Sequence, residues 1–295
     1  MSFRGHMRGM DAMLVFDRVA VRRHRDRAAS TVGSVADVLR DAAERLVDRV
    51  DDTTRRFSFA LDVGGRGIVA PMLRARGIEV VSCDLSAAMA ALNGGPSVAA
   101  DEEFLPFGPG SFDLIVASLS LHAVNDLPGA LIQLRQALKP DGLFLASMPA
   151  LGTLTELRSA LTEAESVLTG GVSPRVSPFP ELRDCAGLLQ RAGFAVPVAD
   201  IEEMRLAYAD PFALLRDLRS AGEGNAVRLR DRRVPPRGLF PMALAGLPVE
   251  DGRVPVSLRM AMLTGWAPAG VGPPQGGKIP PEIVVSPTST RHGRA

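Results

Sequence analysis

From Phe57 onward, short apolar runs alternate with stretches in which apolar residues recur at helical spacing. Phe57–Val63, Val80–Cys83, Phe112–Ser118 and Leu143–Met148 predict strands bounded by turn residues. Between them, Ile68–Arg76, Asp126–Leu138, Thr153–Leu168 and Glu181–Arg191 predict helices. Pro71 is tolerated in a first turn, Gly77 and Gly193 suit C-caps, and Asp126 suits an N-cap. Pro140-Asp141-Gly142 ends the helix that Asp126 starts. Ahead of this region, Val35, Val38, Leu39, Ala42, Leu46 and Val50 form an apolar helical stripe, and Ser34 suits its cap. After it come a helix over Pro211–Ala221, a turn at Gly222-Glu223-Gly224-Asn225, and an apolar segment, Val254–Trp266, suited to a strand.

Strands alternating with helices predict an α/β fold with a mostly parallel sheet and helices on both faces. A ligand then belongs at the carboxyl ends of the strands. The pattern divides the chain into a basic helical segment over 1–56, a Rossmann-like domain over 57–207 and a C-terminal extension over 208–268. That extension is expected to pack on the sheet or cover the site. A Gly/Pro-rich tail over 269–295 is expected to be disordered.

Composition narrows this picture only a little. The 295 residues are 46% hydrophobic and 23% charged, enough for a sizeable core. A formal net charge of +1 provides no global field for nucleic acid. Cys83 and Cys185 stand apart in apolar surroundings and read as reduced, buried thiols. No zinc-type spacing is present, and the histidines form no metal pattern. His24 and Asp26 superficially suggest an iron pair, but on a helix such neighbours diverge, and a solvated basic face is the better reading. The arginines at 18–27 and 228–237 read by default as solvated faces. The apolar run near Phe112–Val124 is interrupted and too short to span a bilayer. Met1–Met13 has charges but no apolar signal region. An arginine-rich start imitates a mitochondrial presequence, yet it carries Asp11 and Asp17. The chain is therefore expected to be cytoplasmic.

The candidate chemistry begins at Leu61-Asp62-Val63-Gly64-Gly65-Arg66-Gly67, where a strand turns into a helix. Glycines there let a ligand approach the backbone, and the helix start offers N–H donors to a carboxylate. Asp84, after the next strand, is placed to accept hydrogen bonds from ribose hydroxyls. Asp101, in Asp101-Glu102-Glu103-Phe104-Leu105-Pro106-Phe107, is placed to accept an adenine amino group, with Phe104 or Leu105 against the ring. Singly these signals are weak; their order and register make them one constellation. His122 has two readings, a general base and a pocket-wall histidine held by hydrogen bonds, and the second is favoured. Tyr208 suits either a substrate gate or core packing.

The order of these motifs, closing with Ser111-Phe112-Asp113-Leu114-Ile115-Val116-Ala117-Ser118, resembles class I S-adenosylmethionine (SAM) methyltransferases of the methyltransferase 11 type. Glu102-Glu103-Phe104-Leu105-Pro106-Phe107, and Ser120-Leu121-His122 with Val124-Asn125-Asp126-Leu127-Pro128, are similar to a narrower subgroup. That subgroup holds a mitochondrial complex I assembly factor that is an arginine hydroxylase, with its bacterial relatives. The resemblance covers about residues 14–267. It implies SAM as cofactor and a Rossmann-like, seven-stranded sheet. It implies that Asp62, Gly64, Gly65 and Gly67 hold the amino-acid end of SAM, Asp84 the ribose, and Asp101 and the backbone at Glu102 the adenine, with Leu85 also at the cofactor. Ser118 and Leu119 would line the methionine portion. Two departures stand out. The turn is one residue shorter than the family's Asp-x-Gly-x-Gly-x-Gly, and Ala123 stands where the family usually has Trp. Three functions follow: methyl transfer to a small molecule or protein side chain, arginine hydroxylation of a complex I subunit, and a non-catalytic assembly module. For the second, Asp101, Glu102 or Glu103 suits a guanidinium partner.

Overall fold

The computed structural model describes residues 14–269 and a strand over 284–289. Helix α1, Arg18–Ala28, and helix α2, Ala36–Asp51, come first and are joined through a 3-10 turn at Val32–Val35. Ser34 lies within that turn and gives its hydroxyl to Thr31 O at 2.9 Å, so it does not cap α2 as expected. The chain continues β1 (Phe59–Val63), α3 (Val69–Arg74), β2 (Glu79–Asp84), α4 (Ala87–Ala91), β3 (Ser97–Ala99) and β4 (Phe112–Ser118). There follow α5 (Leu127–Ala137), β5 (Leu138–Pro149), α6 (Thr155–Thr169), α7 (Leu182–Arg191) and β6 (Ala195–Tyr208). The last elements are α8 (Pro211–Ser220), α9 (Leu239–Ala245), β7 (Val254–Trp266) and β8 (Val284–Ser289).

The sheet order is β3-β2-β1-β4-β5-β7-β6-β8. Strands β1 to β5 are parallel, as the buried runs require. β7 runs antiparallel to both its neighbours. It therefore lies inside the sheet, although it comes from the segment expected as an extension. β8 pairs parallel with β6, so part of the tail expected to be disordered closes an otherwise open edge. The long strand β6 was not legible as a strand. Its inward residues alternate with acidic ones, and Asp200 and Glu202 pair with Arg49 of α2.

Each face of the sheet has its own core. On one, Leu131 and Leu134 of α5 and Leu189 of α7 pack against Ile115, Phe144 and Phe194. On the other, Leu39 and Leu46 of α2 and Leu73 of α3 pack against Leu114, Leu145 and Met262. Helices α6, α8 and α9 close a third cluster around Leu161, Leu214 and Leu239. Tyr208 belongs to that cluster, with its hydroxyl bonded to Asp217 and its ionisation pushed up by burial. It packs there and does not gate the strand tips. Cys83 and Cys185 are buried free thiols, both made harder to ionise by burial.

Strand order reverses beside β1, whose partners β2 and β4 lie on opposite sides. Register brings Val63 level with Cys83 and Ala117, and Asp84 level with Ala99. The residues just past those positions, Gly64, Leu85, Ala100 and Ser118, thus meet at one edge. That edge is where doubly wound sheets bind ligands.

A carboxylate corner filled by arginines

Asp62, the penultimate residue of β1, is fully buried. The Ser82 hydroxyl donates to it at 3.3 Å, yet burial dominates and pushes its carboxyl up to about 7. Gly64 follows in the left-handed region, and a Cβ there would meet Ser120 Cβ at 2.5 Å. Only glycine permits that approach. A Cβ on Gly65 would collide with the Asp62 carboxylate. Arg66 also adopts a left-handed conformation, at φ 49°, which costs an L-residue about 1–2 kcal/mol. Gly67 gives its N–H to Asn93 Oδ1 at 3.0 Å. The N–H groups of Gly64 and Ile68 are likewise taken, by Cys83 O and Gly65 O at 2.8 Å each, and α3 beyond them has only six residues.

The acids expected to bind adenosine carry other cargo. Arg25 of α1 places Nη1 2.9 Å from Glu102 Oε1 and 3.3 Å from Asp84 Oδ2, and Nη2 donates to Ser120 O at 3.3 Å. Its guanidinium thus touches the ends of β2 and β4 and the loop after β3. Arg18, one heptad earlier on the same helical face, pairs with Asp101 at 2.6 Å and with Glu102, and approaches Glu103 at 3.6 Å. Burial opposes charge on Glu102, but Arg25 and Arg18 outweigh it and hold its carboxyl below the ordinary range. Burial likewise opposes charge on Arg25, and Asp84 and Glu102 more than offset it. The reading of α1's arginines as a solvated face is corrected for these two. Arg22, Arg23 and Arg27 do face solvent.

Arg66 fills the rest of the corner. It donates to Leu119 O at 3.1 Å and pairs with Glu223 at 2.5 Å. Burial depresses its basicity, and Glu223 acts against that. Glu223 also meets His122 Nε2 at 2.7 Å, so Nε2 carries the proton toward an ionised carboxylate. Burial works against the Glu223 charge, but His122, Arg66 and Arg25 bring its carboxyl down to about 2. Its side chain keeps 31% exposure, so the neighbouring cations set the direction. His122 is buried beside Phe179, with Nδ1 unpartnered among the described residues. It stands as a wall residue locked by Glu223.

The structure thus gathers Asp62, Gly64, Asp84, Glu102, Ser118 and Leu119 around the strand tips. Asp101 faces outward onto Arg18, with 26% side-chain exposure. Leu85 packs with Phe16 and Val21 under α1, and Phe104 stands in solvent at 77% exposure, away from any ring. Asn125 accepts from Phe16 N and donates to Glu103, so part of the Val124-Asn125-Asp126 run serves to dock the N-terminal segment. Asp126 caps α5 through Gly129 N. His24 and Asp26 diverge as expected, Asp26 bonding Ser86. Among the described residues, no group of three His, Cys, Asp or Glu is arranged to hold a metal ion.

Arg18, Arg25, Arg66 and Glu223 were not legible as site residues. The one signal was spacing: Arg18, Val21, Arg25 and Ala28 share a helical stripe that would be apolar in an ordinary core helix.

A Rossmann-like sheet with a glycine corner and acids at the tips of β2 and β3 defines the class I SAM-dependent methyltransferases. A methyltransferase-domain family profile matches residues 35–197, and the chain belongs to this family of enzymes, whose cofactor is SAM. It is 38% identical over 271 residues to the arginine-hydroxylase NDUFAF5, mitochondrial, of Danio rerio, covering 87% of this chain and 84% of that protein. Its identity to the Homo sapiens protein of that name is 39% over 268 residues, covering 85% and 76%. It is also 32% identical over 286 residues to the malonyl-[acyl-carrier protein] O-methyltransferase of a Methylovorus species, covering 90% and 94%. Among solved structures, the YcgJ protein of Bacillus subtilis matches its fold with a TM-score of 0.53 at 14% identity, covering 76% of this chain and 98% of that one.

The cytoplasmic expectation is overturned by the arginine-hydroxylase relatives, whose names call them mitochondrial. Asp17, read as an argument against a mitochondrial leader, is the N-cap of α1 and accepts from Ala20 N. It serves the fold and says nothing of targeting; Asp11 lies outside the described residues. No described helix is long and apolar enough to cross a membrane.

SAM does not fit the corner in this conformation, because the Arg25 guanidinium fills it, 2% exposed, against Asp84 and Glu102 and beside Gly64. A ligand of SAM's size needs a pocket of roughly 300 Å³ or more. The small cavity next to Arg25, about 20 Å³, is lined by Phe16, Val21, His122 and Glu223 and lies off the glycine corner. The larger cleft, about 810 Å³, is an open surface groove between α1 and the Arg228–Arg232 run, outside the glycine corner.

Proposed function

We propose that this chain hydroxylates an arginine side chain of a protein partner, and that the partner is a subunit of respiratory complex I. The observation that carries the reading is the likeness, over most of the chain's length, to relatives named arginine-hydroxylase. Glu103, which lies outside the residues that the resemblance gives to SAM, stands beside the acids Asp101 and Glu102, 3.6 Å from the Arg18 guanidinium. A carboxylate suits the planar fork of an arginine better than the amine of a lysine. Hydroxylation places one atom of dioxygen into a C–H bond and reduces the other to water with two electrons from a reductant. The role assigned to this chain's residues is binding and orienting the guanidinium.

Mass spectrometry of complex I subunits from a strain lacking the gene tests the proposal. An arginine that carries one added oxygen in the parent strain, and loses it in the deletion strain, is the expected result. A hydroxyarginine peak of unchanged intensity sinks the idea. Loss of a methyl group instead, on a side chain or a carrier-bound acid, assigns the chain to methyl transfer.

A further inference from the structure

The family's cofactor and this conformation disagree, and the disagreement has a single physical source. We infer that helix α1 is an internal plug: the Arg25 guanidinium occupies the adenosyl position, and SAM binds only when α1 lifts away. The inference rests on the family's cofactor and holds for hydroxylation or methyl transfer alike.

Arg25 contacts Asp84, which the resemblance assigns to the ribose, and the side chain of Glu102, whose backbone it assigns to the adenine, and lies beside the corner glycine Gly64. It is 2% exposed, so nothing of ligand size shares the space. Asp84 cannot accept from ribose hydroxyls with that guanidinium in place, and Arg18 holds the acids of the adenine loop in the same way.

The attachment of α1 is of the kind that opens. Most of its apolar contacts form a small cluster, Phe16, Ala20, Val21, Ala123 and Ala226, while Ala28, at its C-terminal end, joins the sheet core beneath α2. Small side chains bury little area, so burial contributes little to holding the helix. The remaining hold is polar: Arg18 and Arg25 pair with the acids, Asp17 with Arg230 at 3.0 Å, the Ser86 hydroxyl donates to Asp26, and Asp17 N donates to Ala226 O at 2.8 Å. Buried ion pairs gain little net energy, because desolvation offsets attraction. Beyond Ala28, exposed Ser30 and Thr31 lead to the 3-10 turn before α2, so the helix has a polar hinge and a firm anchor behind it. Segments held by few apolar contacts are the ones that open locally. A closed plug lowers the apparent affinity for cofactor by the fraction of molecules that are open.

The test uses the full chain, with S-adenosylhomocysteine as probe in calorimetry and hydrogen exchange. Arg25→Ala is expected to bind the probe about tenfold more tightly than the parent, or better. Asp17→Ala loosens α1 without touching the corner and should shift affinity the same way, which keeps the test decisive if Arg25→Ala does not fold. In the parent protein, the probe should speed exchange of the amides of 18–28. Equal or weaker binding by a folded Arg25→Ala variant overturns the inference. So does unchanged binding by Asp17→Ala, protection of 18–28 by the probe, or no binding by any of the three proteins. None of these outcomes bears on the hydroxyarginine measurement, which reads the reaction itself.

Discussion

Helices α1 and α2 are neighbours in sequence, yet they are held to the sheet by opposite means. α2 buries Leu39, Ala42, Ala43, Leu46, Val47 and Val50 in one stripe. α1 buries only Ala20, Val21, Arg25 and Ala28. Each large aliphatic side chain in α2's stripe contributes about 1.5–3 kcal/mol of burial. A buried arginine first loses its hydration and recovers that only through its acids. The contrast teaches that equal burial is not equal attachment. α2 is part of the core, while α1 occupies a site that another ligand can claim.

Four measurements probe this difference between the two helices. The largest effect belongs to the core helix. Leu46→Ala should lower global stability by about 2–5 kcal/mol in denaturant unfolding. A smaller loss than that of Arg25→Ala would mean that the ionic helix is as integral as the apolar one.

The corner beneath α1 follows electrostatics, and Asp62 shows this next. Its folded carboxyl titrates at about 7, against about 3.9 in an unfolded chain. Between those values the unfolded state is ionised while the native state keeps its proton. Native stability therefore falls as pH rises across that window. Asp62→Asn lacks this loss, so its stability relative to the parent should climb from pH about 4 to pH about 7 and then level off. A constant difference across the window would remove burial as the cause.

Glu223 has the opposite sign. Its folded carboxyl sits at about 2, below the unfolded value of about 4.3. Its stabilisation is complete above the unfolded value and is lost as pH falls through the folded one. The parent should therefore outlast Glu223→Gln most clearly near neutrality, and the two should converge toward pH about 2.

The smallest global effect belongs to Asp17→Ala. Loss of the cap and of the Arg230 pair should cost about 1 kcal/mol. The change should appear as local proteolysis within 18–28, with the unfolding midpoint little moved. A large drop in midpoint would show that α1 is not a separate unit.

Much of the scaffold was legible because it follows from local rules. The buried runs of β1, β4 and β5 and the apolar stripe of α2 mark their elements whatever they later touch. The glycine turn, Asp84 and the Asp101–Glu103 loop were legible as a constellation because strand-and-helix alternation brings their positions to one edge. β6 was hidden by its acidic outer residues, whose partners, Arg45 and Arg49, come from far earlier in the chain. Arg25 was hidden because an arginine on a basic helix looks the same in solvent or in a cage.

By itself, the sequence determined the class of sheet, the edge at which chemistry gathers, and the acids that line it. Those follow from periodicity and turn chemistry, which act over a few residues. Only the tertiary structure decided what those acids hold. A carboxylate accepts from a ribose hydroxyl or pairs with a guanidinium with equal chemical ease. The choice depends on which group the folded chain brings within three ångströms, and here α1 brings Arg25.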